Sequence, residues 1–401
     1  MAGPGAPDAS RRRLSVGVAL LSQVPEQLTG TGLYVRELIR ELAGRPDQVG
    51  LDVLCDEGAF EDLDELAAPS VRIERAQGFR APASAAARAL AIAGAMARPG
   101  RAGRQLAEGV ELVHYPLTIP VPRVGLPTVI TLHDVLHHDH PELFSRWQRL
   151  WRRATFDRAA RAATMVVTDS DHARRRIVEA AGVDPGRVTA IHLGVDRERF
   201  SPAPVAAEAE LLAPLDLPPR FVFYPASMWP FKNHQRLVAA FAQVPDRELE
   251  LVFSGAPMGR LENVMATARQ YGVSERVRHL GFVEADAIPP IYRRATAVAF
   301  PSWYEGFGAP PLEAMACGCP VASSRSASLA EVCGEAALEL DPHDDRQMAA
   351  ALERVVSDEA LRSTLVEAGF EQVSRFTWGR AAEAHLEVYR RARDSAVSRA
   401  A

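Results

Sequence analysis

Apolar residues in this chain come in short unbroken runs, separated by longer stretches in which they recur every three or four positions. In the first half the runs are Leu14–Leu21, Leu51–Cys55, Glu111–Tyr115, Thr128–Leu132, Met165–Thr168 and Val188–Ile191. Such runs predict strands buried on both faces. Tyr34–Ala43 and Trp147–Ala162 carry the helical period between them. A Pro- and Ala-rich stretch holding Pro202, Pro204, Pro214, Pro218 and Pro219 then predicts a linker over 201–219. The alternation restarts with strands at Phe221–Tyr224, Leu249–Phe253, Val277–Phe282, Ala297–Phe300 and Pro320–Ser323, and ends in a helical stretch from about Arg380 to Arg393. Strands alternating with helices predict an α/β protein with two parallel, doubly wound sheets. The first domain is expected over 14–200 and the second over 220–379, facing each other across a ligand-binding cleft.

At 401 residues the chain exceeds a typical single core, which agrees with two domains. Its 47% hydrophobic and 24% charged residues are those of an ordinary globular protein, and a net charge of −5 argues against a nucleic-acid partner. No apolar run is long enough to span a bilayer. Arg11–Arg13 followed by Leu14–Leu21 raises a signal-peptide reading. The run ends in Ser22-Gln23 without a small-residue cleavage site, so it reads as a first strand behind a disordered tail, 1–13. Cys55, Cys317, Cys319 and Cys333 fit neither a disulfide framework nor a zinc site, and read as free thiols in a reducing cytoplasm.

The chemistry concentrates after the strand Ala297–Phe300. Glu305 is followed by Gly306, Phe307, Gly308, Ala309, Pro310, Pro311, Leu312 and a second acid, Glu313. The prolines suit a helix start, which places Glu313 in the first turn, where the helix dipole favours an anion. The glycines let backbone N–H groups approach a ligand, at the carboxyl end of a strand where open α/β sheets bind. The run from Pro301 to Val321 resembles the two-glutamate motif of the retaining family-4 glycosyltransferases, which have the GT-B fold of two Rossmann-like domains. The resemblance covers nearly all of the chain after residue 14 and is strongest from Tyr224 to Glu335.

The resemblance implies roles for further residues. The loop Tyr224–His234 ends in Lys232-Asn233, and Lys232 would meet the donor diphosphate, whose charge grows as the glycosidic bond breaks. Where many relatives carry an arginine earlier in that loop, this chain has Ser227 and Met228; the Ser227 hydroxyl, or a cation from elsewhere, would take its place. Thr29-Gly30-Thr31-Gly32 opens a helix but is neither a dinucleotide fingerprint nor a Walker loop. By resemblance Gly30 and Gly32 lie over the donor phosphate. His133, ending the strand Thr128–Leu132, would face the donor sugar. Phe282 and Val283, after Gly281, would receive the base through backbone groups, which leaves the base unspecified. Glu313 would hold ribose hydroxyls, Glu305 the sugar hydroxyls, and the last helix, 380–401, would pack back on the first domain.

His137, His138, Asp139 and His140 look like a metal site, yet consecutive residues do not readily present three ligands to one ion. Asp169-Ser170-Asp171 mimics a metal-holding acid pair, but precedes a helical stretch and reads as a cap. The expectation is therefore a cytoplasmic, metal-independent, cofactor-free retaining transferase. It would move a sugar from a nucleoside diphosphate sugar to a glycan, a lipid-linked glycan or a small molecule, with Glu305, His133 and Lys232 at the reacting centre. An epimerase, a phosphorylase and a non-catalytic sugar-nucleotide binder are the alternatives. The Ala-rich segment 79–107, with Arg80, Arg88, Arg98, Arg101 and Arg104, reads as a solvated helix face or as a peripheral contact with an acidic acceptor or the inner face of a membrane.

Overall fold

The computed structural model describes residues 12–22, 30–80, 85–98, 100–205 and 207–400. Most of the expected tail, and Thr29 of the first glycine loop, lie outside the described residues. The strands form two all-parallel sheets. The first holds β1 (Leu14–Ala19), β2 (Val49–Cys55), β3 (Val71–Arg75), β4 (Leu112–Tyr115), β5 (Thr128–Thr131), β6 (Met165–Thr168) and β7 (Val188–Ala190), in the order β3-β2-β1-β4-β5-β6-β7. The second holds β8 (Phe221–Pro225), β9 (Glu250–Ser254), β10 (Val277–His279), β11 (Ala297–Phe300), β12 (Val321–Ser323) and β13 (Leu338–Glu339), in the order β10-β9-β8-β11-β12-β13. Every inner run named from the sequence is a strand. The edge strands β3 and β13 were not expected, because β3 alternates apolar with charged, partly exposed residues and β13 is only two residues long, so neither shows an apolar run. β10 stops at His279, so Gly281, Phe282 and Val283 form a loop beyond the strand instead of ending it.

The described residues group into two units: the chain up to Leu193 together with Trp378 onward, and Gly194–Thr377. The Pro-rich stretch falls inside the second unit and is not bare. It forms a helix, Glu208–Leu212, whose Glu208 Oε2 accepts from Arg293 Nη2 at 2.7 Å and Nε at 3.0 Å. In the first unit, the helix Trp378–Ala400 packs on the helix Gly30–Ala43 and on β4, β5 and β6.

That seam contains a buried chain of polar groups. His385 Nδ1 donates to the Ala381 carbonyl at 2.7 Å, so the neutral ring accepts at Nε2 from the Tyr34 hydroxyl at 2.9 Å. Tyr34 then accepts from Thr131 Oγ1 at 2.9 Å, Thr131 accepts from His114 Nε2 at 2.8 Å, and His114 Nδ1 accepts from the Tyr389 hydroxyl at 2.9 Å. Only this proton order satisfies every contact. Burial lowers the His385 pKa to about 4 and holds His114 well below the usual imidazole value, as two neutral rings require.

Candidate active site

In the second unit the strand order reverses between β8 and β11, the point where a doubly wound sheet opens a crevice at its carboxyl edge. Both strands are apolar runs buried on both faces, and the loops that follow them supply the charged groups. After β8, Pro230–Lys232 makes one tight turn, ended by Asn233 in the left-handed region at φ 66°. The Asn233 side chain holds this corner by donating to the carbonyls of Pro342 (2.7 Å) and Pro301 (3.2 Å). The Tyr224 hydroxyl fixes it from beneath, donating to the Lys232 carbonyl at 2.7 Å. Gly255, at φ 115°, lets β9 approach this loop: a Cβ there would lie 2.8 Å from the Ala226 carbonyl carbon.

After β11 the chain turns through Glu305. Ser328 Oγ lies within hydrogen-bonding distance of the carbonyls of Glu305 (2.9 Å) and Phe307 (2.7 Å). Gly308, at φ 94°, leads into the helix Ala309–Ala316, and a Cβ there would come within 2.6 Å of Leu329 Cδ2. These two loops bring Lys232 and Glu305 together. Lys232 Nζ donates to both carboxylate oxygens, at 2.6 and 2.8 Å, with the two side chains only 17% and 10% exposed. The ammonium also lies over the Phe231 and Phe300 rings, at 5.5 and 5.4 Å.

The helix begins at Ala309, so Pro310 and Pro311 fall in its first turn, and Glu313 stands at the start of the second turn instead of in the first. The dipole is therefore not what holds its charge. Burial pushes the Glu313 carboxyl up to about 7, against the Tyr292 hydroxyl, which donates to Oε2 at 3.1 Å, and the nearby Arg199 guanidinium. Tyr292 and Arg199 were not found in the sequence, where they lie 21 and 114 positions from Glu313 with no motif of their own. In the same unit Ser227 is partly buried, Phe282 is 80% exposed, and Val283 is buried. Phe307 is buried with its ring 5.9 Å from that of Phe376, so within the 305–308 turn it packs the loop while the glycine neighbours allow the bend.

In the first unit Gly30 and Gly32 occupy the first turn of the helix Gly30–Ala43, with Gly32 buried. His133 lies just past β5 and meets the ends of the neighbouring strands β4 and β6. Its Nδ1 is 2.7 Å from Asp169 Oδ2 and its Nε2 is 3.1 Å from the Pro116 carbonyl. Both partners can accept. Burial opposes a charge on the ring, yet Asp169 outweighs it and raises the His133 pKa. Asp169 is thus not the cap: Ser170 caps the helix Asp171–Ala181 by accepting from Ala173 N at 3.1 Å, and Asp169 serves His133. Position at a strand end, the same as that of His133 on the adjoining strand, is the signal that would have found it.

The histidine cluster is rearranged as well. His137 and His138 direct Nε2 at the two oxygens of Asp157, at 3.1 and 2.8 Å, while Asp139 binds Arg176 and His140 binds Glu142. His137, His138 and Asp157 are close enough to hold a metal ion, and each imidazole Nε2 lies at hydrogen-bonding distance from one oxygen of the carboxylate.

Two family descriptions divide the chain. Residues 28–199 match "Glycosyltransferase Family 4" and residues 213–372 match "Glycosyl transferases group 1". The chain belongs to the family-4 glycosyltransferases. It is 26% identical to the O-antigen chain mannosyltransferase B of Escherichia coli over 367 residues, 90% of this chain and 96% of that one. It is 34% identical to a D-inositol 3-phosphate glycosyltransferase of Kineococcus radiotolerans over 268 residues, 60% of each protein. Among solved structures, it resembles a sucrose-phosphate synthase from Thermosynechococcus elongatus with a TM-score of 0.75, at 22% identity over 94% of this chain and 98% of that one. It likewise resembles Anabaena HepE, solved with UDP and glucose, with a TM-score of 0.71, at 21% identity over 94% and 99%. The fold is GT-B.

Proposed function

We propose that this family-4 glycosyltransferase is a retaining, metal-independent hexosyltransferase that uses a nucleoside diphosphate sugar and glycosylates a hydroxyl of a glycan or a lipid-linked glycan. The observation that carries the reading is the Lys232–Glu305 pair, held at the carboxyl ends of β8 and β11 with Glu313 in the helix that follows. A diphosphate arriving there meets an ammonium already positioned by a carboxylate. Glu305 is then free to accept sugar hydroxyls, and Glu313 accepts those of the ribose. The sugar C1–O bond to the diphosphate breaks as the acceptor oxygen bonds to C1 on the same face, and the acceptor proton passes to the departing phosphate. Lys232 stabilises the charge that develops. Gly30, Gly32 and His133 of the first unit are proposed to serve the donor phosphate and sugar. A glycan acceptor fits the mannosyltransferase relative. The direct test is a panel of nucleotide sugars scored by thermal shift, followed by the anomeric configuration of the product by NMR; an inverted product sinks the retaining reading.

Activity is expected to persist in excess EDTA, because lysine supplies the phosphate cation. Activity lost in EDTA and restored by manganese or magnesium would overturn this.

Glu313→Ala should weaken donor binding roughly tenfold to a hundredfold, the value of hydrogen bonds to a charged acceptor. A carboxyl with a pKa of about 7 adds a pH dependence. The ionised form accepts both hydroxyls, so donor affinity should rise as the pH passes through about 7 and level off above it. Calorimetry across that range is the check. Glu313→Gln should abolish the slope, and a slope that survives in this variant removes Glu313 from the ribose site.

A further inference from the structure

In the segment 79–107, read as a solvated helix face or as a peripheral contact, Ile92, Ala102 and Leu106 are buried in the first unit's core while Arg98, Arg101 and Arg104 are exposed. A different element of that unit presents the outward apolar face. The helix Arg146–Arg152 starts at a complete capping box, with Ser145 Oγ accepting from Gln148 N at 3.2 Å and Gln148 Oε1 accepting from Ser145 N at 2.8 Å, so it is formed without any partner. Trp147, Leu150 and Trp151, spaced i, i+3, i+4, share one stripe and are 80%, 58% and 36% exposed. A soluble helix normally turns such a stripe inward. Here the continuation passes through one wide turn, Arg153–Asp157, before Ala159 and Ala160 enter the core.

The charge on this element is as one-sided as its apolarity. Residues 146–158 hold five arginines and one acid, Asp157, in a chain whose net charge is −5, and Asp157 is committed to His137 and His138. Arg152 is stacked between Phe144 and Phe156, at 4.6 and 5.1 Å, anchoring the helix to its own unit. Other arginines of this unit do pair with acids, among them Arg176 with Asp139 and Glu179. Among the described residues, Arg146, Arg149, Arg153 and Arg158 have no carboxylate at ion-pair distance.

We infer that the helix Arg146–Arg152 docks this protein on an anionic lipid surface, with Trp147, Leu150 and Trp151 entering the headgroup boundary and the flanking arginines facing acidic headgroups. Tryptophan suits that boundary, where one side of the ring is apolar and its N–H stays wet. Unpaired arginines gain most from a negative surface. The surface stands independently of the donor site.

The test is sedimentation of the full chain with vesicles of phosphatidylcholine, with and without phosphatidylglycerol. Binding is expected only with phosphatidylglycerol and should weaken with salt. Trp147→Ala with Trp151→Ala should lower it about tenfold or more, and Arg149→Glu with Arg153→Glu by about as much. Hydrolysis of a water-soluble donor should stay unchanged in both variants, which shows that they fold. Failure of the wild type to bind overturns the inference. So does equal binding by the helix variants, or binding lost only in Arg101→Glu with Arg104→Glu. A dimer in solution that dissolves on Trp147→Ala also overturns it, since the face would then be an interface between copies.

Discussion

Lys232→Ala is expected to lower turnover at saturating donor by about a hundredfold to a thousandfold, the cost of removing one preorganised group from a site of developing negative charge. On the proposed reading the lysine meets the diphosphate, so its contribution appears in kcat more than in the affinity for a free nucleoside. The structure adds a second consequence. Lys232 is the partner of a carboxylate that is itself only 10% exposed, and its loss leaves Glu305 buried and unpaired. That costs about 3–5 kcal/mol of stability in comparable buried pairs. The two effects separate in a double variant. Lys232→Met with Glu305→Gln should restore most of the stability, because the uncompensated charge is gone, yet recover none of the turnover. Lys232→Arg should recover part of it, since a planar fork and a point charge reach a phosphate differently. The measurement is kcat alongside the urea midpoint for all four proteins. Wild-type turnover in a folded Lys232→Ala would leave the lysine a purely structural role.

How far the site was legible depends on what each residue's role rests on. Glu305, Gly308, Glu313 and Lys232 lie in motifs whose chemistry shows in local spacing, and the inner strands appear as apolar runs because parallel strands are buried on both faces. What could not be read is adjacency. That Lys232 grips Glu305, 73 positions away, follows from β8 and β11 being neighbours, which sheet order decides and linear spacing does not. The same blindness hid the role of Asp169: the cap expected of Asp169-Ser170-Asp171 is Ser170, and only the contact of β5 with β6 reveals the carboxylate under His133. The period of Trp147–Ala162 announced an apolar stripe without saying which way it faces. A helical repeat is the same whether its stripe enters a core or leaves it, and this one changes sides at the wide turn Arg153–Asp157.

The second large effect concerns acid. The first unit should lose stability as the pH falls from about 6.5 towards 4, through the seam that ties its final helix to the sheet. His385 titrates near 4 in the folded protein because burial disfavours its charge, against an ordinary value of 6.5. A histidine depressed in this way favours folding above its unfolded pKa, and the advantage disappears as the pH approaches the folded value. At about 1.4 kcal/mol per pH unit, His385 alone is worth about 3 kcal/mol over that window. His114, shifted in the same direction at the other end of the chain, adds to it. Glu313 in the second unit works oppositely: its raised pKa makes that unit lose stability as the pH rises from about 4.5 to about 7. The readout must therefore be local. Hydrogen exchange of the amides of 378–395, corrected for intrinsic rates, should show protection falling between pH 7 and 5. His385→Gln keeps an acceptor for Tyr34 without a titrating ring, and should flatten the slope. Thr131→Val cuts the chain at its middle and strands the His114 N–H and the Tyr34 oxygen. It should cost about 2–5 kcal/mol at pH 7, a fall of roughly 5–15 °C in the midpoint of this unit. If protection of the final helix does not change with pH in the wild type, or changes equally in His385→Gln, the helix is held by its apolar contacts with Tyr34, Leu38 and the sheet, and the polar chain only fills space between them.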